Sequence, residues 1–105
     1  MNKMRIIVWS DFPAESRHQL KVAREFEEWL FSDGFIRLQP GVHTRMTDSR
    51  ESAHLHLKRL RAHSPELGIV RALVITERQF LLSEMVAGQE SAQELEVSSQ
   101  LDIFL

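Results

Sequence analysis

The pattern of apolar positions at the start of the chain predicts a strand followed by a helix. An apolar, β-branched run over residues 5–9 is typical of a strand that is buried on both faces. We expect it to end at Asp11, because Pro13 lacks a backbone N–H and restricts the residue before it. From about residue 15 to residue 32 apolar positions recur at helical spacing, and Gly34 is a natural stop for this helix. The predicted buried stripe of the helix comprises Leu20, Ala23, Phe26 and Leu30.

The middle of the chain predicts a hairpin and a further strand. The runs over 35–39, led by Phe35 and Ile36, and over 42–46 predict two strands, with Pro40-Gly41 as the turn between them. The run over 69–76 is dense in Val, Ile and Leu and predicts a fourth strand.

A second helix is predicted between the hairpin and this last strand. Asp48 and Glu51 stand at the spacing of a capping box, and the helix runs from there to about His63. Beyond the last strand, 80–86 predicts a short helix, and 101–105 predicts a fifth strand at a sheet edge. The predicted apolar stripe of the second helix is Ala53, Leu57 and Leu60.

The order of these elements predicts an α+β fold of the ferredoxin-like type, βαββαβ. In that arrangement a four-stranded antiparallel sheet carries both helices on one face. The other face would then expose more apolar side chains than water tolerates, and a second copy of the chain would cover it. We therefore expect a homodimer, with a core domain over 1–80 and a C-terminal extension over 81–105. The apolar side chains assigned to the open face are Ile7, Trp9, Ile36, Leu38 and Leu73.

Composition narrows the function classes. The chain has 105 residues, one domain's worth, and the absence of cysteine excludes disulfides, a thiol nucleophile and thiolate metal sites. No apolar run is long enough for a membrane span, so we expect a soluble, cytoplasmic protein. Residues 1–63 hold 11 Lys+Arg against 8 Asp+Glu, a net charge of +3, whereas residues 64–105 hold 2 against 7, a net of −5. A nucleic-acid partner would therefore have to use a local basic face.

Asp11 is the first residue that could carry chemistry. It stands where a buried strand gives way to a turn, so its carboxylate projects from a rigid base. One aspartate is a poor Mg²⁺ site, but two copies at a dimer axis would form a plausible one. The alternative, which the sequence alone favours, is that Asp11 caps the first helix.

A second constellation is basic and lies on the two helices. Arg17, Lys21 and Arg24 fall within about 60° of one another on the first helix. A comparable arc on the second helix holds Arg50, His54, Lys58 and Arg61. These stripes suit phosphates. The alternative is a solvated face in which Lys21 and Arg24 pair with the glutamates four residues further on.

Other chemistries find little support. His54 and His56 lie about 200° apart around a helix, so they cannot coordinate one metal ion together. No metalloprotease, serine hydrolase, P-loop or dinucleotide-binding motif is present.

Several segments together resemble the second CRISPR-associated protein family (Cas-two), most closely the members found in type II systems. The similarity covers roughly residues 4–80, and the motifs occur in the same order. Two departures are Ser10 before the aspartate, where the family often has an aromatic residue, and Pro40-Gly41 after the second strand. The matching segments are 9–13 (WSDFP), 33–39 (DGFIRLQ), 42–45 (VHTR), 56–60 (HLKRL) and 70–77 (VRALVITE).

This resemblance implies a homodimer that sits between two dimers of the larger CRISPR integrase. There it helps to hold the double-stranded DNA precursor of a new spacer. Some family members also cut RNA or DNA with Mg²⁺, using the aspartate that ends the first strand, which makes Asp11 the expected catalytic and metal-binding residue. The C-terminal strand commonly pairs with the partner subunit. The residues then expected to contact nucleic acid are Arg17, Lys21, Arg45, Lys58 and Arg61.

Three functions remain open at this point. The first is a DNA-binding scaffold for spacer acquisition without chemistry of its own. The second is a Mg²⁺-dependent endonuclease or endoribonuclease, including a stand-alone, toxin-like one. The third is a regulatory ferredoxin-like dimer that binds a small molecule. We favour the first as the cellular role, with the second as an activity at family level.

Overall fold

The fold contains the predicted elements in the predicted order, followed by one short helix. A computed structural model describes residues 3–89. The predicted strand over 101–105 lies outside this range, and the predicted domain boundary at 80/81 falls inside the last helix. The elements are β1 (Met4–Asp11), α1 (Arg17–Ser32), β2 (Ile36–Gln39), β3 (Val42–Thr47), α2 (Arg50–His63), β4 (Ile69–Thr76) and α3 (Glu77–Leu81).

The four strands form one antiparallel sheet in the order β2-β3-β1-β4. Ile7 in the central strand β1 stands opposite Thr44 on one side and Leu73 on the other. The topology confirms the predicted ferredoxin-like α+β class. In the part of the chain that the structure describes, no helix is both long and apolar enough to cross a bilayer.

The core lies between the sheet and the two long helices. Alternate residues of β1 enter it, because successive strand residues point to opposite faces. Burying side chains of this size contributes about 1.5–3 kcal/mol each. The buried apolar residues are Met4, Ile6, Val8, Phe26, Leu30, Phe35, Ala53 and Leu60.

The helix caps differ from those predicted. Ser16 caps α1, and its hydroxyl accepts from the Gln19 backbone N–H, so Asp11 does not cap this helix. Ser49 caps α2 and accepts from the Ser52 N–H at 3.0 Å. The predicted capping box of Asp48 and Glu51 is therefore wrong, because the helix begins one residue later than that pattern requires.

Two predictions of burial are also wrong. Leu20 is 52% exposed, so contact of α1 with the core begins about one turn later. The strand β1 is not buried on both faces along its whole length, since Trp9 is 41% exposed, as its assignment to the open face predicted. The reason is that α3 covers only the other end of this face, where Arg5 and Phe80 are in contact.

The last helix starts earlier than predicted. It spans Glu77–Leu81 instead of residues 80–86. Thr76, the last residue of β4, forms a capping box with Gln79, in which the Thr76 hydroxyl accepts from the Gln79 N–H at 3.1 Å and the Gln79 amide oxygen accepts from the Thr76 N–H at 2.9 Å. This box starts the helix directly after the strand and turns the chain back onto the sheet.

Candidate functional site

Asp11 ends β1 on the sheet face opposite the helices. Met4, Ile6 and Val8 alternate into the core, which places Trp9 and Asp11 on the other face. The Asp11 side chain is exposed, and within residues 3–89 no hydrogen bond or ion pair engages it. The carboxylate therefore stands at a rigid strand end and is accessible to a ligand.

Two glycines fix the backbone that carries Asp11. The Ser10 N–H donates to the Gly41 carbonyl at 2.8 Å, which holds the β2–β3 turn against the end of β1. Gly41 has φ +80°, and a Cβ there would lie 2.8 Å from the Ser10 carbonyl oxygen. Gly68 has φ +77°, and a Cβ there would lie 2.3 Å from the Asp11 carbonyl oxygen. Sequence analysis placed Gly41 in the turn after the second strand but assigned neither glycine this role, which depends on contacts between distant segments.

The sheet face around Asp11 is open and apolar. Ile69 stands directly opposite Asp11 and is 58% exposed, and Leu73 on the same strand face is 50% exposed. Trp9 pairs with Arg71, the residue of β4 that lies between these two on the same face. The Asp11 end of this face, which we call the open sheet face, therefore combines a carboxylate with uncovered large apolar side chains.

The predicted basic residues of both helices are exposed. Arg17 and Lys21 lie on α1, and Lys58 and Arg61 lie on α2. Lys21 approaches Glu25 at 3.8 Å, as the alternative interpretation expected, but both side chains are more than half exposed. Such an exposed pair contributes only about 0.3–0.5 kcal/mol and gives way readily to a phosphate.

The cations of α1 and those of α2 lie apart along the layer that these two helices form, which we call the helix layer. Contacts between Asp33 and His56 and between Trp29 and His63 show that α1 and α2 run antiparallel. Lys21 precedes Trp29 by eight residues, about 12 Å along the axis, and so lies beyond the end of α2. The helix layer is opposite the open sheet face, so a single chain does not bring these cations to Asp11.

Arg45 is placed differently from the other predicted basic residues. It stands opposite Ile6 in the sheet register, which directs it to the helix side, and its guanidinium donates to the Asp33 carbonyl. Burial lowers the pKa of Arg45, and the nearby Asp33 carboxylate opposes that shift. Contact of Arg45 with nucleic acid stays a prediction, and the structure gives this residue a role within the protein.

A buried carboxylate network joins the two long helices. Asp33, at the C-terminus of α1, accepts from His56 Nδ1 at 2.8 Å and from the Arg59 guanidinium at 2.6 Å. The Asp33 side chain is only 2% exposed. The exposed His54 and the buried His56 point to different sides of α2, as the helical spacing predicted.

A second buried histidine lies under α1. His43 Nε2 is 2.6 Å from Glu27 Oε2, and the ring meets Phe31 edge-on. Its Nδ1 is buried and, within the described range, has no hydrogen-bond partner. Neither this pair nor the Asp33 network reaches the open sheet face, so both act inside the helix layer.

The carboxylate of Asp11 is the kind of ligand that Mg²⁺ prefers, but one chain supplies too few such ligands to hold the ion. Mg²⁺ is held by one or two carboxylates together with waters and phosphate oxygens. Residues 3–89 contain no cluster of three or more His, Asp or Glu side chains that could hold a metal ion. A metal at Asp11 would therefore need oxygen ligands from a second chain or from a bound nucleic acid.

Comparison with known proteins identifies the family. No family model matches the chain. The CRISPR-associated endoribonuclease Cas2 of Flavobacterium psychrophilum is 37% identical over 99 residues, covering 94% of this chain and 86% of that protein. Those of Parvibaculum lavamentivorans and Acidovorax ebreus are 34% and 32% identical, each covering 96% of this chain and all of the relative. With this similarity over nearly its whole length, the chain belongs to the Cas2 family of CRISPR-associated proteins.

Proposed function

We propose that this protein is a dimeric nucleic-acid-binding scaffold that acts in CRISPR spacer acquisition. Two copies pair through their open sheet faces, and the dimer bridges integrase dimers on a double-stranded DNA spacer precursor. The observation that carries this proposal is the division of the molecule into two surfaces. One is an uncovered apolar sheet face, and the other is a helix layer with exposed cations.

The uncovered face supports self-association. Trp9, Ile69 and Leu73 together leave large apolar areas exposed on one side of the sheet. Contiguous apolar patches of this kind mark interaction sites in proteins that are otherwise polar. Because a two-fold contact uses the same patch on both subunits, a second copy is the simplest cover. This pairing leaves both helix layers pointing outward.

The helix layer supports binding to phosphates without reading the base sequence. Arg17, Lys21, Lys58 and Arg61 are exposed on helices that cover the same sheet face. Four neutralised phosphates per chain would make the logarithm of the affinity for a duplex fall with a slope of about −3.6 against the logarithm of the salt concentration. Binding should therefore be steeply salt-dependent and indifferent to sequence.

Reconstitution with a CRISPR integrase tests this role. The protein, an integrase from the same genome and a duplex of spacer length should co-purify as one complex. A variant in which two cations of the helix layer are neutralised, Lys21→Gln with Lys58→Gln, should bind DNA more weakly while the protein remains folded. Failure of the wild-type protein to associate with either the integrase or the duplex at low salt would refute the proposal.

A second candidate function, metal-dependent cleavage of nucleic acid, is favoured by Asp11. The similar proteins are named endoribonucleases, and Asp11 presents an accessible carboxylate from the end of a rigid strand. Two Asp11 carboxylates brought together by the proposed dimer would hold a magnesium ion. A bound Mg²⁺ would polarise a phosphate oxygen of the substrate. The chain itself contributes the fixed position of the carboxylates and the backbone support from Gly41 and Gly68.

The activity test compares two aspartates. Asp11→Asn should abolish divalent-dependent cleavage of RNA and DNA, because it removes the anionic ligand with almost no change in shape. Asp48→Asn, at another exposed position, should leave cleavage unchanged. Cleavage that survives Asp11→Asn would exclude Asp11 as the site, and spacer acquisition that survives it would separate the scaffold role from any cleavage.

A further inference from the structure

Arg71 stands within the open sheet face. Residues that pair across antiparallel strands share a face, and Arg71 pairs with Trp9, two positions before Asp11 on β1. On β4 it is flanked on the same face by Ile69 and Leu73, because successive strand residues point to opposite sides. An exposed guanidinium is therefore surrounded by large apolar side chains on the face that the proposed dimer covers.

A second copy on this face changes the surroundings of Arg71. In the single chain its side chain is exposed, and within residues 3–89 no hydrogen bond or ion pair engages it. Once the second copy excludes water, a guanidinium without a counter-ion opposes association, because an unpaired buried charge is costly. The proposed pairing is therefore favoured by a carboxylate that meets Arg71 inside the interface.

The other end of the same face shows how the chain neutralises an arginine that becomes covered. Arg5 pairs with Ile75 in the register of β1 against β4, and α3 covers it there. Its guanidinium binds both carboxylate oxygens of Glu77, and the two side chains are each less than a tenth exposed. Cover of this face by α3 thus brings a carboxylate to the arginine beneath it. The same requirement applies to Arg71 at the uncovered end.

Asp11 is the carboxylate that the open sheet face itself offers. The four described strands direct three ionisable side chains to this side of the sheet, and one of them, Arg5, is already paired. The remaining two are Asp11 and Arg71. They stand diagonally on neighbouring strands, about 7–8 Å apart, a separation that an arginine side chain can span. Within one chain no ion pair joins them, so both charges are available to a second copy.

We propose that Asp11 of each subunit forms an ion pair with Arg71 of the partner subunit across the dimer. A two-fold axis repeats every contact, so one such pair generates a second. Two carboxylates near the axis would repel each other, and the two guanidinium groups remove that repulsion. The inference rests on the proposed pairing of open sheet faces and adds the charges that fix its register. Arg71, which sequence analysis did not select, thereby becomes a positioning residue for the Asp11 carboxylate.

Charge reversal at the two positions tests whether the pair crosses the interface. Asp11→Arg and Arg71→Asp each place four like charges in the dimer, so each full-length variant alone should be a folded monomer. An equimolar mixture should form a heterodimer, because every cation then faces a carboxylate of the other chain. Sedimentation velocity in EDTA measures association without a metal ion that could bridge carboxylates. The dissociation constant of each variant should rise at least about hundredfold, and that of the mixture should lie within about tenfold of wild type.

Two further variants control for other effects of charge. The double variant Asp11→Arg with Arg71→Asp exchanges the pair and should dimerise like wild type. Arg50→Asp reverses an exposed arginine of α2, on the opposite side of the sheet, and should change the dissociation constant by less than about threefold. Thermal unfolding verifies the fold of each protein. A single variant that does not fold alone is refolded together with its counterpart, and a 1:1 dimer is then the expected result.

The outcomes distinguish the ion pair from the dimer itself. Dimerisation of Asp11→Arg or of Arg71→Asp alone, as tight as in wild type, would overturn the ion pair and leave the scaffold proposal standing. Dimerisation of the double variant without a heterodimer in the mixture would place the pair within one chain and also overturn the inference. Failure of both to dimerise would overturn it as well. A wild-type protein that stays monomeric would instead refute the proposed pairing of open sheet faces.

Discussion

Arg5 and Glu77 form a buried ion pair although 72 positions separate them in the sequence. The Arg5 guanidinium donates to both carboxylate oxygens, with Nε–Oε1 at 3.0 Å and Nη2–Oε2 at 2.6 Å. The ring of Phe80 packs against the same guanidinium, 4.2 Å from its central carbon. This pair fixes α3 to one end of the sheet and leaves the Asp11 end uncovered.

Removal of the carboxylate should therefore destabilise the fold strongly. We expect Glu77→Gln to lower the free energy of unfolding by about 3–5 kcal/mol, because Arg5 would remain buried without its counter-ion. Denaturant unfolding measures this change. Glu66→Gln, at an exposed position, is the control and should stay within about 0.5 kcal/mol of wild type. Equal stability of the two variants would show that the pair does not hold α3.

The Asp33 network should contribute in a comparable way to the packing of α1 against α2. Asp33→Asn keeps the shape but weakens two charge-assisted hydrogen bonds, from His56 and from Arg59. We expect a loss of about 2–3 kcal/mol in the free energy of unfolding. The exposed Asp48→Asn variant should show no comparable loss. If the two substitutions cost the same, the network does not stabilise the helix pair.

The glycines beside Asp11 should resist substitution for a reason that is specific to the site. Gly41→Ala and Gly68→Ala each add a Cβ within 3 Å of a backbone oxygen of β1. Each also places an alanine at a backbone position with positive φ, which alanine rarely adopts. We expect each to cost more than about 2 kcal/mol. Gly88→Ala shares the positive φ but meets no atom within 4 Å, so its cost should stay near 1 kcal/mol. Thermal unfolding compares the three variants, and equal shifts would exclude a role for close approach.

If two copies pair through their open sheet faces, a charge introduced into that face should prevent the dimer from forming. Leu73→Asp places a carboxylate in the centre of that face at a half-exposed position. The chain should fold but elute as a monomer in size-exclusion chromatography with light scattering, because the buried charge would have no partner in the dimer. Leu55→Asp, which changes an exposed leucine of α2, should remain dimeric. A dimeric Leu73→Asp protein would place the interface elsewhere.

The sequence predicted most of the fold because each long element carries its own periodic signal. β4 matches its predicted bounds, and β1 extends the predicted run by one residue at the start and by two at the end, to Asp11. The errors lie at the ends of elements, by one residue at the N-terminus of α2 and by three at the start of α3. The contact between Arg5 and Glu77 could not be predicted, because no local pattern relates positions that far apart.

The exposure of candidate site residues could be predicted where it follows from position along an element. Asp11 at a strand end is exposed, and so are the cations on the outer sides of the helices. Arg45 differs because the face that it occupies depends on the register of β3 against β1, which sequence alone does not specify.

The two edge strands of the sheet, β2 and β4, differ in how readily another strand could pair with them. Among the described residues, β2 has four residues, a register shift between Arg37 and Gln39, and a proline directly after it. On the opposite side, β4 has eight residues and contains neither lysine nor proline to discourage pairing. Strand addition is therefore confined to the β4 side. A head-to-tail filament would need strand pairing at both edges of every sheet. Because only the β4 edge suits pairing, association through the sheet edges stops once that edge is paired and does not continue into fibres.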